Sequence, residues 1–291
     1  MEITENADMS AYSSFKAGGC ADLLMIPENT EELTEALDRA ESLGAPFLIL
    51  GNGTDTLFTD GGYRGTVIKL GKGFEEIRAE GNALVCGAAA LLSKAAKAAQ
   101  ERSLSGLERV SGIPGSIGGA VFMNAGAYGG EIKDVVSEVT VLGAKDHKVR
   151  TIPAEGLDLS YRHSVLAETG DVALCAKFEL TPAGRAEIDA LMKELTEKRN
   201  AKQPLDKPSC GSFFKRPEGF FAGTLIEEAG LKGVAVGDAA VSSKHAGFIV
   251  NEGGATATDI IRLMRLVQNT VLDKAGVRLE PEVRIIGEMP D

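Results

Sequence analysis

The chain has 291 residues, which is enough for two or three domains and a large buried core. Its net charge of −11 at pH 7 argues against a nucleic acid or an anionic membrane as a partner, because either would require basic patches. The first ten residues are polar and acidic, so we expect no signal peptide, and no apolar run is long enough to span a bilayer. Four cysteines without C-x-x-C spacing indicate free thiols in a reducing cytoplasm. With only three histidines in the chain, we expect no metal site.

The N-terminal part reads as a helix followed by two strands with a glycine turn between them. Residues 29–44 begin with a capping-box pattern, carry apolar side chains at helical spacing and end on glycine. Apolar runs at 46–50 and 66–70 predict buried strands. Residues 51–55, Gly-Asn-Gly-Thr-Asp, follow the first of these strands at its C-terminus, where α/β sheets bind ligands. An ordinary strand-ending turn is the alternative interpretation.

The rest of the chain mixes short strands with helices, and Pro182 and Gly184 mark a domain boundary. On the last predicted strand, Glu280, Glu282 and Arg284 should share one face, because side chains alternate along a strand. The patterns predict strands near 74–79, 83–87, 136–142, 172–181, 247–251 and 278–287, and helices at 91–102, around 188–195 and after a cap formed by Thr256 and Asp259.

Residues 111–130, SGIPGSIGGAVFMNAGAYGG, form the stretch around which the rest of the chain is organised. Glycine allows positive φ and a close approach to a ligand, because no Cβ intervenes. A segment this rich in glycine suits a backbone that donates N–H groups to a large planar or phosphorylated ligand. It matches neither the Walker loop nor the dinucleotide GxGxxG pattern. Tight turns in a β-rich domain are the alternative.

Cations concentrate near residue 200 although the chain is acidic. Residues 198–202 contain three of them, and Ser212 is followed by Lys215 and Arg216. A solvated helix end explains the first group, since cations favour a helix C-terminus; an anion-binding site is the other explanation. Arg162 lies in a separate polar cluster, where a solvated surface position is the commoner fate of a lone arginine.

Taken together, the order and spacing of these motifs resemble the UDP-N-acetylenolpyruvoylglucosamine reductase family, flavoenzymes of bacterial peptidoglycan precursor synthesis. The resemblance runs from residues 14–19, Ser-Phe-Lys-Ala-Gly-Gly, to residues 282–287, Glu-Val-Arg-Ile-Ile-Gly. It implies an α+β fold, in which a vanillyl-alcohol-oxidase-type FAD-binding domain of two subdomains precedes a C-terminal α+β substrate-binding domain. We expect the subdomains at 1–71 and 72–183 and the substrate-binding domain at 184–291, with its last strand returning toward the active site.

The resemblance also implies the roles of individual residues. It assigns catalysis to Arg162, Ser212 and Glu282. It assigns FAD binding to Leu50, Gly51, Asn52, Gly53, Thr54, Asp55, Gly112, Pro114, Gly115, Gly118, Gly119, Asn124, Gly126, Ala127 and Gly129. It assigns substrate binding to Tyr128, Tyr161, Arg199, Lys202, Lys215 and Asn251. The short run from Arg162 to Val172 leaves little room for the extra loop of some members, so the chain is similar to the loop-lacking type.

Asp55 departs from the family pattern. The family usually shows Gly-Gly-Ser-Asn in the first glycine-rich segment, whereas this chain has an acid where an amide is usual. A carboxylate beside a pyrophosphate would repel it. We therefore expect Asp55 to face away from the cofactor or to accept backbone N–H groups.

The implied reaction is the NADPH-dependent reduction of UDP-N-acetylglucosamine enolpyruvate to UDP-N-acetylmuramate through noncovalent FAD, by a cytoplasmic monomer. Arg162 would supply positive charge to the developing enolate. Glu282, if protonated, can donate a hydrogen bond to the same enolate. Ser212 is the candidate donor of the final proton, with Lys215 and a relay or water assisting it.

Two alternatives belong to other functional classes. The first is an FAD oxidase of alcohols or phenols; such enzymes often tether FAD covalently, and no histidine precedes His147 to serve as an early tether. The second is a nucleotide-sugar binding module without catalysis. Such a module would be expected to lack Arg162, Ser212 or Glu282, and all three are present.

Overall fold

The computed structural model describes residues 1–289, a mixed α and β chain. Its helices are α1 Thr30–Ser42, α2 Leu92–Glu101, α3 Ile117–Phe122, α4 Leu166–Thr169, α5 Arg185–Lys202, α6 Ala222–Glu228 and α7 Ala257–Ala275. Its strands are β1 Glu2–Asp8, β2 Cys20–Ile26, β3 Phe47–Leu50, β4 Thr56–Phe58, β5 Tyr63–Lys69, β6 Ile77–Glu80, β7 Ala83–Gly87, β8 Leu104–Ser105, β9 Gly126–Ala127, β10 Gly130–Glu131, β11 Val136–Leu142, β12 Val149–Pro153, β13 Val172–Glu179, β14 Thr181–Pro182, β15 Ala235–Val236, β16 Ala239–Val241, β17 Ile249–Asn251 and β18 Arg284–Ile286. None of the helices within residues 1–289 has both the length and the apolar composition needed to cross a bilayer.

The strands form several sheets. A five-stranded antiparallel sheet has the order β12-β11-β13-β7-β6. A four-stranded sheet has the order β1-β2-β5-β3, and a three-stranded antiparallel sheet has the order β15-β16-β17. Strand β18 pairs in parallel with β4. This last pairing brings the end of the chain beside the strand that follows the first glycine turn.

Most elements predicted from the sequence are confirmed. Strands β7 and β11 coincide with the predicted strands at 83–87 and 136–142, because β7 is a short apolar run and β11 is rich in valine and threonine. Helices α1, α2 and α7 also form where the spacing of apolar residues predicted them. Asn29 caps α1 as expected: its Oδ1 accepts a hydrogen bond from the N–H of Glu32 at 2.9 Å.

Two predicted strands are wrong in part. The segment at 74–79 begins as a turn of 3-10 helix, and its strand, β6, starts only at Ile77. The final strand is limited to β18, so Glu280 and Glu282 do not share a strand face with Arg284. Pro281 lies between the two glutamates and has no N–H to donate to a ladder.

The chain forms two compact units. The first consists of Met1–Ile3, Met25–Asn52 and Val67–Arg199. The second consists of Thr4–Leu24, Gly53–Thr66 and Asn200–Asp291. The finer division into domains at 1–71, 72–183 and 184–291 stays a prediction.

One apolar cluster fills the second unit. Phe213 is completely buried between Phe15, with ring centroids 6.0 Å apart, and Phe214, with centroids 5.2 Å apart. Helix α7 adds its inner face, made of Ile260, Leu263, Met264, Val267 and Val271. Burial of side chains of this size stabilises the fold by about 1.5–3 kcal/mol each. The cluster therefore fixes the backbone immediately after Ser212.

Candidate active site

The turn after β3 leaves a run of backbone donors without a protein partner. Within residues 1–289, no protein atom accepts a hydrogen bond from the backbone N–H of Gly51, Asn52, Gly53 or Thr54. Gly53 has φ +63°, a conformation that favours glycine. Successive N–H groups that face outward from such a turn form an anion-binding concavity. The turn therefore suits a phosphate-containing ligand.

The first glycine turn lies directly against the glycine-rich stretch at 111–130. The Nδ2 of Asn52 donates a hydrogen bond to the carbonyl of Pro114 at 2.8 Å. A Cβ added to Gly51 would lie 2.8 Å from the Oγ of Ser116, so the two segments pack without room for a side chain. Asn52 and Pro114 are 62 residues apart in the sequence, and both belong to the first unit.

Helix α3 lies inside the glycine-rich stretch and was not predicted, since paired glycines disfavour helix. Ser116 caps it through a hydrogen bond from the N–H of Gly119, at 3.3 Å. The N–H groups of Ile117 and Gly118 donate to the carbonyls of Ala90 and Ala88, each at 2.8 Å. These N–H groups already donate hydrogen bonds within the protein, so contacts of Gly118 and Gly119 with a cofactor stay predictions.

Arg199 lies on the glycine-rich stretch in the first unit. A Cβ added to Gly112 would lie 3.1 Å from its Cδ, so the arginine stem covers that glycine. Burial lowers the pKa of Arg199, and the nearby Tyr128 phenol opposes this shift. Arginine still keeps its charge at neutral pH. Its predicted contact with substrate stays a prediction, and its position next to Gly112 also makes it available to a ligand of the glycine-rich stretch.

Arg162 is displayed on a tight turn of the first unit. Ser160 and His163 close the turn through two reciprocal backbone hydrogen bonds of 3.3 and 3.2 Å. Arg162 itself has φ +57°, which is uncommon for a residue other than glycine. Its guanidinium carbon lies 4.9 Å from the ring centroid of Tyr161, a cation–π contact. Such a local conformation persists only where surrounding contacts enforce it.

His163 belongs to a group of three possible metal ligands on the same loop. Its Nε2 lies 3.4 Å from the Oδ2 of Asp158 and 3.5 Å from the Oε1 of Glu168. Both carboxylates are exposed, and exposed acidic groups are common without a metal. We assign no metal-binding function to this group of three residues.

Ser212 and Glu282 lie on adjoining backbone segments of the second unit. Ser212 is exposed, and the next residue, Phe213, donates its N–H to the carbonyl of Gly247 at 2.8 Å. The N–H of Glu282 donates to the carbonyl of Phe213, also at 2.8 Å. The predicted proton donor and the predicted acid are therefore fixed by the same buried phenylalanine.

Lys215 follows on the same segment. Its N–H donates to the carbonyl of Glu280 at 2.8 Å, and its Nζ lies 3.9 Å from the Oε2 of that residue. Both side chains are solvent-exposed, so this ion pair is weak. The ammonium is therefore available to an anionic ligand. Sequence reasoning missed Glu280 as its neighbour because the final segment was read as a strand.

Two other residues predicted to bind substrate have distinct surroundings. Asn251 is buried: its Nδ2 donates to the carbonyl of Phe15 at 2.9 Å, and its Oδ1 accepts from the N–H groups of Gly253 and Ala255 at 2.8 and 3.0 Å. These bonds hold the loop after β17, and the predicted substrate contact stays a prediction. Lys202 is exposed at the end of α5.

Arg284 lies close to Asp55, and the sequence alone did not predict that these two residues are neighbours. The backbone N–H of Arg284 donates to the carbonyl of Asp55 at 3.0 Å, as β18 pairs with β4. Burial lowers the pKa of Arg284, and the Asp55 carboxylate opposes this shift. The acid that departs from the family pattern therefore has its charge compensated within the second unit.

The residues of the glycine turn and of the glycine-rich stretch fit FAD, since they supply unpaired donors and close-packed glycines, and the half-buried Arg199 lies beside them. A family model described as an FAD binding domain matches residues 21–152. With the mixed α and β fold, this match defines the chain as an FAD-dependent oxidoreductase, as predicted. A second model, described as the UDP-N-acetylenolpyruvoylglucosamine reductase C-terminal domain, matches residues 203–286.

Whole-chain relatives give the particular family. The chain is 49% identical to the UDP-N-acetylenolpyruvoylglucosamine reductase of Agathobacter rectalis, over 98% of this chain and 94% of the relative. It is 46% identical to the enzyme of the same name from Latilactobacillus sakei, over 99% of this chain and 94% of the relative. The crystal structure of UDP-N-acetylenolpyruvylglucosamine reductase from Thermus caldophilus matches with a TM-score of 0.85 and 36% identity, covering 98% of each chain. The chain belongs to the UDP-N-acetylenolpyruvoylglucosamine reductase family.

Proposed function

We propose that this chain reduces UDP-N-acetylglucosamine enolpyruvate to UDP-N-acetylmuramate, with NADPH as the hydride donor and FAD as the cofactor. The observation that carries the proposal is the 49% identity to a relative of that name over 98% of the chain. The resemblance therefore includes both the FAD-binding part and the C-terminal part. One FAD per chain, a monomeric state and a cytoplasmic location belong to the same proposal.

FAD supplies hydride transfer between NADPH and C3 of the enolpyruvyl group; the residues of the chain supply position, charge and a proton. Arg162 would hold the substrate carboxylate with a planar, two-pronged donor. As C3 gains hydride, negative charge builds on C2 and on this carboxylate, and fixed positive charge lowers the energy of that state. The enforced turn at residues 160–163 keeps the guanidinium in place before the substrate arrives.

The second half of the reaction requires one proton at C2. Ser212 is proposed to donate it, because its hydroxyl is exposed while its backbone is anchored through the buried Phe213. A serine is a poor acid in water, so the charge of Lys215 and a water relay must assist. Glu282, whose backbone is bonded to the same phenylalanine, would donate a hydrogen bond to the enolate when protonated.

Anaerobic turnover tests the proposal. Beyond the one equivalent that bleaches the flavin, NADPH should be consumed only when the enolpyruvyl UDP-sugar is added, and mass spectrometry should identify UDP-N-acetylmuramate as the product. Acid precipitation should release the yellow chromophore into the supernatant if FAD is bound noncovalently. Reduction of the flavin by an alcohol or a phenol, with no UDP-N-acetylmuramate formed from NADPH and the UDP-sugar, would support the oxidase alternative and refute the proposal.

A further inference from the structure

Asn124 is buried and its side-chain amide is fully engaged within the protein. Its exposed fraction is 0%. Its Nδ2 donates to the carbonyl of Ser160 at 2.9 Å and to the Oε2 of Glu131 at 3.2 Å. Its Oδ1 accepts from the N–H of Lys133 at 2.9 Å. A buried polar network in which every member is satisfied is rigid. The amide is therefore occupied by the protein and is not presented to a ligand.

The shorter of the two Nδ2 hydrogen bonds connects Asn124 to the turn that carries Arg162. Ser160 is the first residue of the closed turn, and Arg162 lies inside that turn with φ +57°. At the other end, the Oγ of Ser164 donates to the carbonyl of Phe122 at 2.7 Å. Both ends of the turn are thus hydrogen-bonded to the residues at the C-terminus of α3. Because hydrogen bonds hold both ends of this turn, the backbone that carries Arg162 has little freedom to move.

Glu131 belongs to the same network. Its Oε2 accepts from Asn124 and lies 2.7 Å from the Nζ of Lys133. The hydrogen bond from Lys133 holds the pKa of Glu131 below its ordinary value, and the charges of Lys133 and Arg162 lower it further. The carboxylate is therefore ionised at neutral pH, and its Oε2 holds the Asn124 amide with Nδ2 toward Glu131 and the Ser160 carbonyl.

We infer that Asn124 and Glu131 are positioning residues for Arg162: Asn124 fixes the backbone of its turn through the Ser160 carbonyl, and Glu131 holds the Asn124 amide in the orientation that makes this bond. The inference rests on the proposed function, because it assumes that Arg162 binds the enolpyruvyl carboxylate. It gives Asn124 a role different from the predicted contact with FAD. It also assigns Glu131, which sequence reasoning did not single out.

Asn124→Asp is the informative substitution. It keeps the size of the side chain, the tolerance of positive φ and an oxygen that can accept from Lys133. It replaces the donor to the Ser160 carbonyl by an oxygen, so the two acceptors repel each other. We expect the transfer from NADPH-treated enzyme to the enolpyruvyl UDP-sugar to slow about 10- to 100-fold, since a small misplacement of a positioning group has effects of this size. The bleaching of the flavin by NADPH should not change.

Asn29→Ala is the matched control. Asn29 also makes a side-chain hydrogen bond in the first unit, as the cap of α1, and has no contact with the Asn124 network. Its loss should lower the melting temperature without changing either step. Glu131→Ala removes the acceptor that orients the Asn124 amide. It provides a second test if Asn124→Asp does not fold, and it should slow transfer to the UDP-sugar while leaving bleaching unchanged.

A double-mutant cycle distinguishes a positioning role from a general loss of structure. If Asn124 acts through Arg162, Asn124→Asp should cause no further slowing in an Arg162→Ala background. Equal slowing in both backgrounds would overturn the inference. If Arg162→Ala alone leaves the transfer rate unchanged, the role of Arg162 in the proposed function fails, which is a separate outcome.

NMR supplies a readout that does not depend on activity. The Arg162 Nε–H signal, identified by its absence in Arg162→Lys, should be sharp in the parent. It should broaden or move in Asn124→Asp and in Glu131→Ala, but not in Asn29→Ala. An Arg162 signal that is unchanged in both variants would overturn the inference, whatever the kinetics.

Discussion

Replacing Gly53 by alanine tests whether the turn after β3 requires a residue without a Cβ. A Cβ at Gly53 would lie 1.8 Å from the carbonyl oxygen of Tyr12, and the backbone has φ +63°. Positive φ costs an L-residue about 1–2 kcal/mol. Because the clashing atom belongs to the main chain, the overlap can be relieved only by moving the backbone. That movement would weaken the hydrogen bond from the N–H of Ser14 to the carbonyl of Gly53, which is 2.9 Å long and contributes about 1 kcal/mol.

These effects together predict that Gly53→Ala lowers the free energy of unfolding by about 3–5 kcal/mol. Two glycines of the same unit separate the causes. Gly219 also has positive φ, +75°, but nothing within 4 Å of an added Cβ, so Gly219→Ala should lose only about 1–2 kcal/mol. Gly61 has neither positive φ nor a close neighbour, so Gly61→Ala should change stability by less than about 0.5 kcal/mol.

Urea unfolding of the flavin-free variants, followed by circular dichroism, measures these differences. The flavin content of each freshly purified variant should also be compared, because a displaced backbone would disturb the unpaired N–H groups of the turn. Gly53→Ala should retain less flavin than either control. Equal stability of Gly53→Ala and Gly219→Ala would refute the argument from the Tyr12 carbonyl.

Three further predictions concern single side chains. Ser212→Ala should leave the bleaching of the flavin by NADPH unchanged and slow transfer to the enolpyruvyl UDP-sugar by at least ~10²–10⁴-fold, as anaerobic stopped-flow would measure; a parental transfer rate would remove Ser212 from the mechanism. Lys215→Gln should weaken substrate binding by about 1–3 kcal/mol without changing FAD content, and an unaltered dissociation constant would contradict the assignment. Burial raises the pKa of Cys86 from 9.0 to about 12, so the folded state favours the thiol, and its stabilising effect is lost as pH rises between these values. Over that interval stability should fall by about 1.4 kcal/mol per pH unit more in the parent than in Cys86→Ala, as urea unfolding at several pH values would measure.

Periodicity and caps predicted most of the regular elements because local interactions determine them. The helix after Thr256 has both parts of its capping box, since Thr256 accepts from the N–H of Asp259 and Asp259 accepts from the N–H of Thr256. Helix α3 could not be predicted in the same way. Its start is held by the carbonyls of Ala88 and Ala90, more than twenty residues earlier in the chain.

The sequence predicted which residue types occur at the candidate site better than it predicted the role of each residue. The sequence identified Asn124 as an amide among glycines, but its acceptor is the carbonyl of Ser160, 36 residues away. Likewise, the acid at Asp55 conflicted with phosphate binding until Arg284 was placed beside it by the pairing of β18 with β4. Residue types reveal what a side chain can do, whereas the fold decides which partner it meets.

Single turnover without oxygen tests the central claim most directly. The enzyme is bleached with one equivalent of NADPH and then mixed with UDP-N-acetylglucosamine enolpyruvate. The account predicts that the yellow flavin absorbance returns and that one equivalent of UDP-N-acetylmuramate forms for each flavin. A flavin that stays bleached with the UDP-sugar, and regains its colour only when oxygen is admitted, would contradict the account.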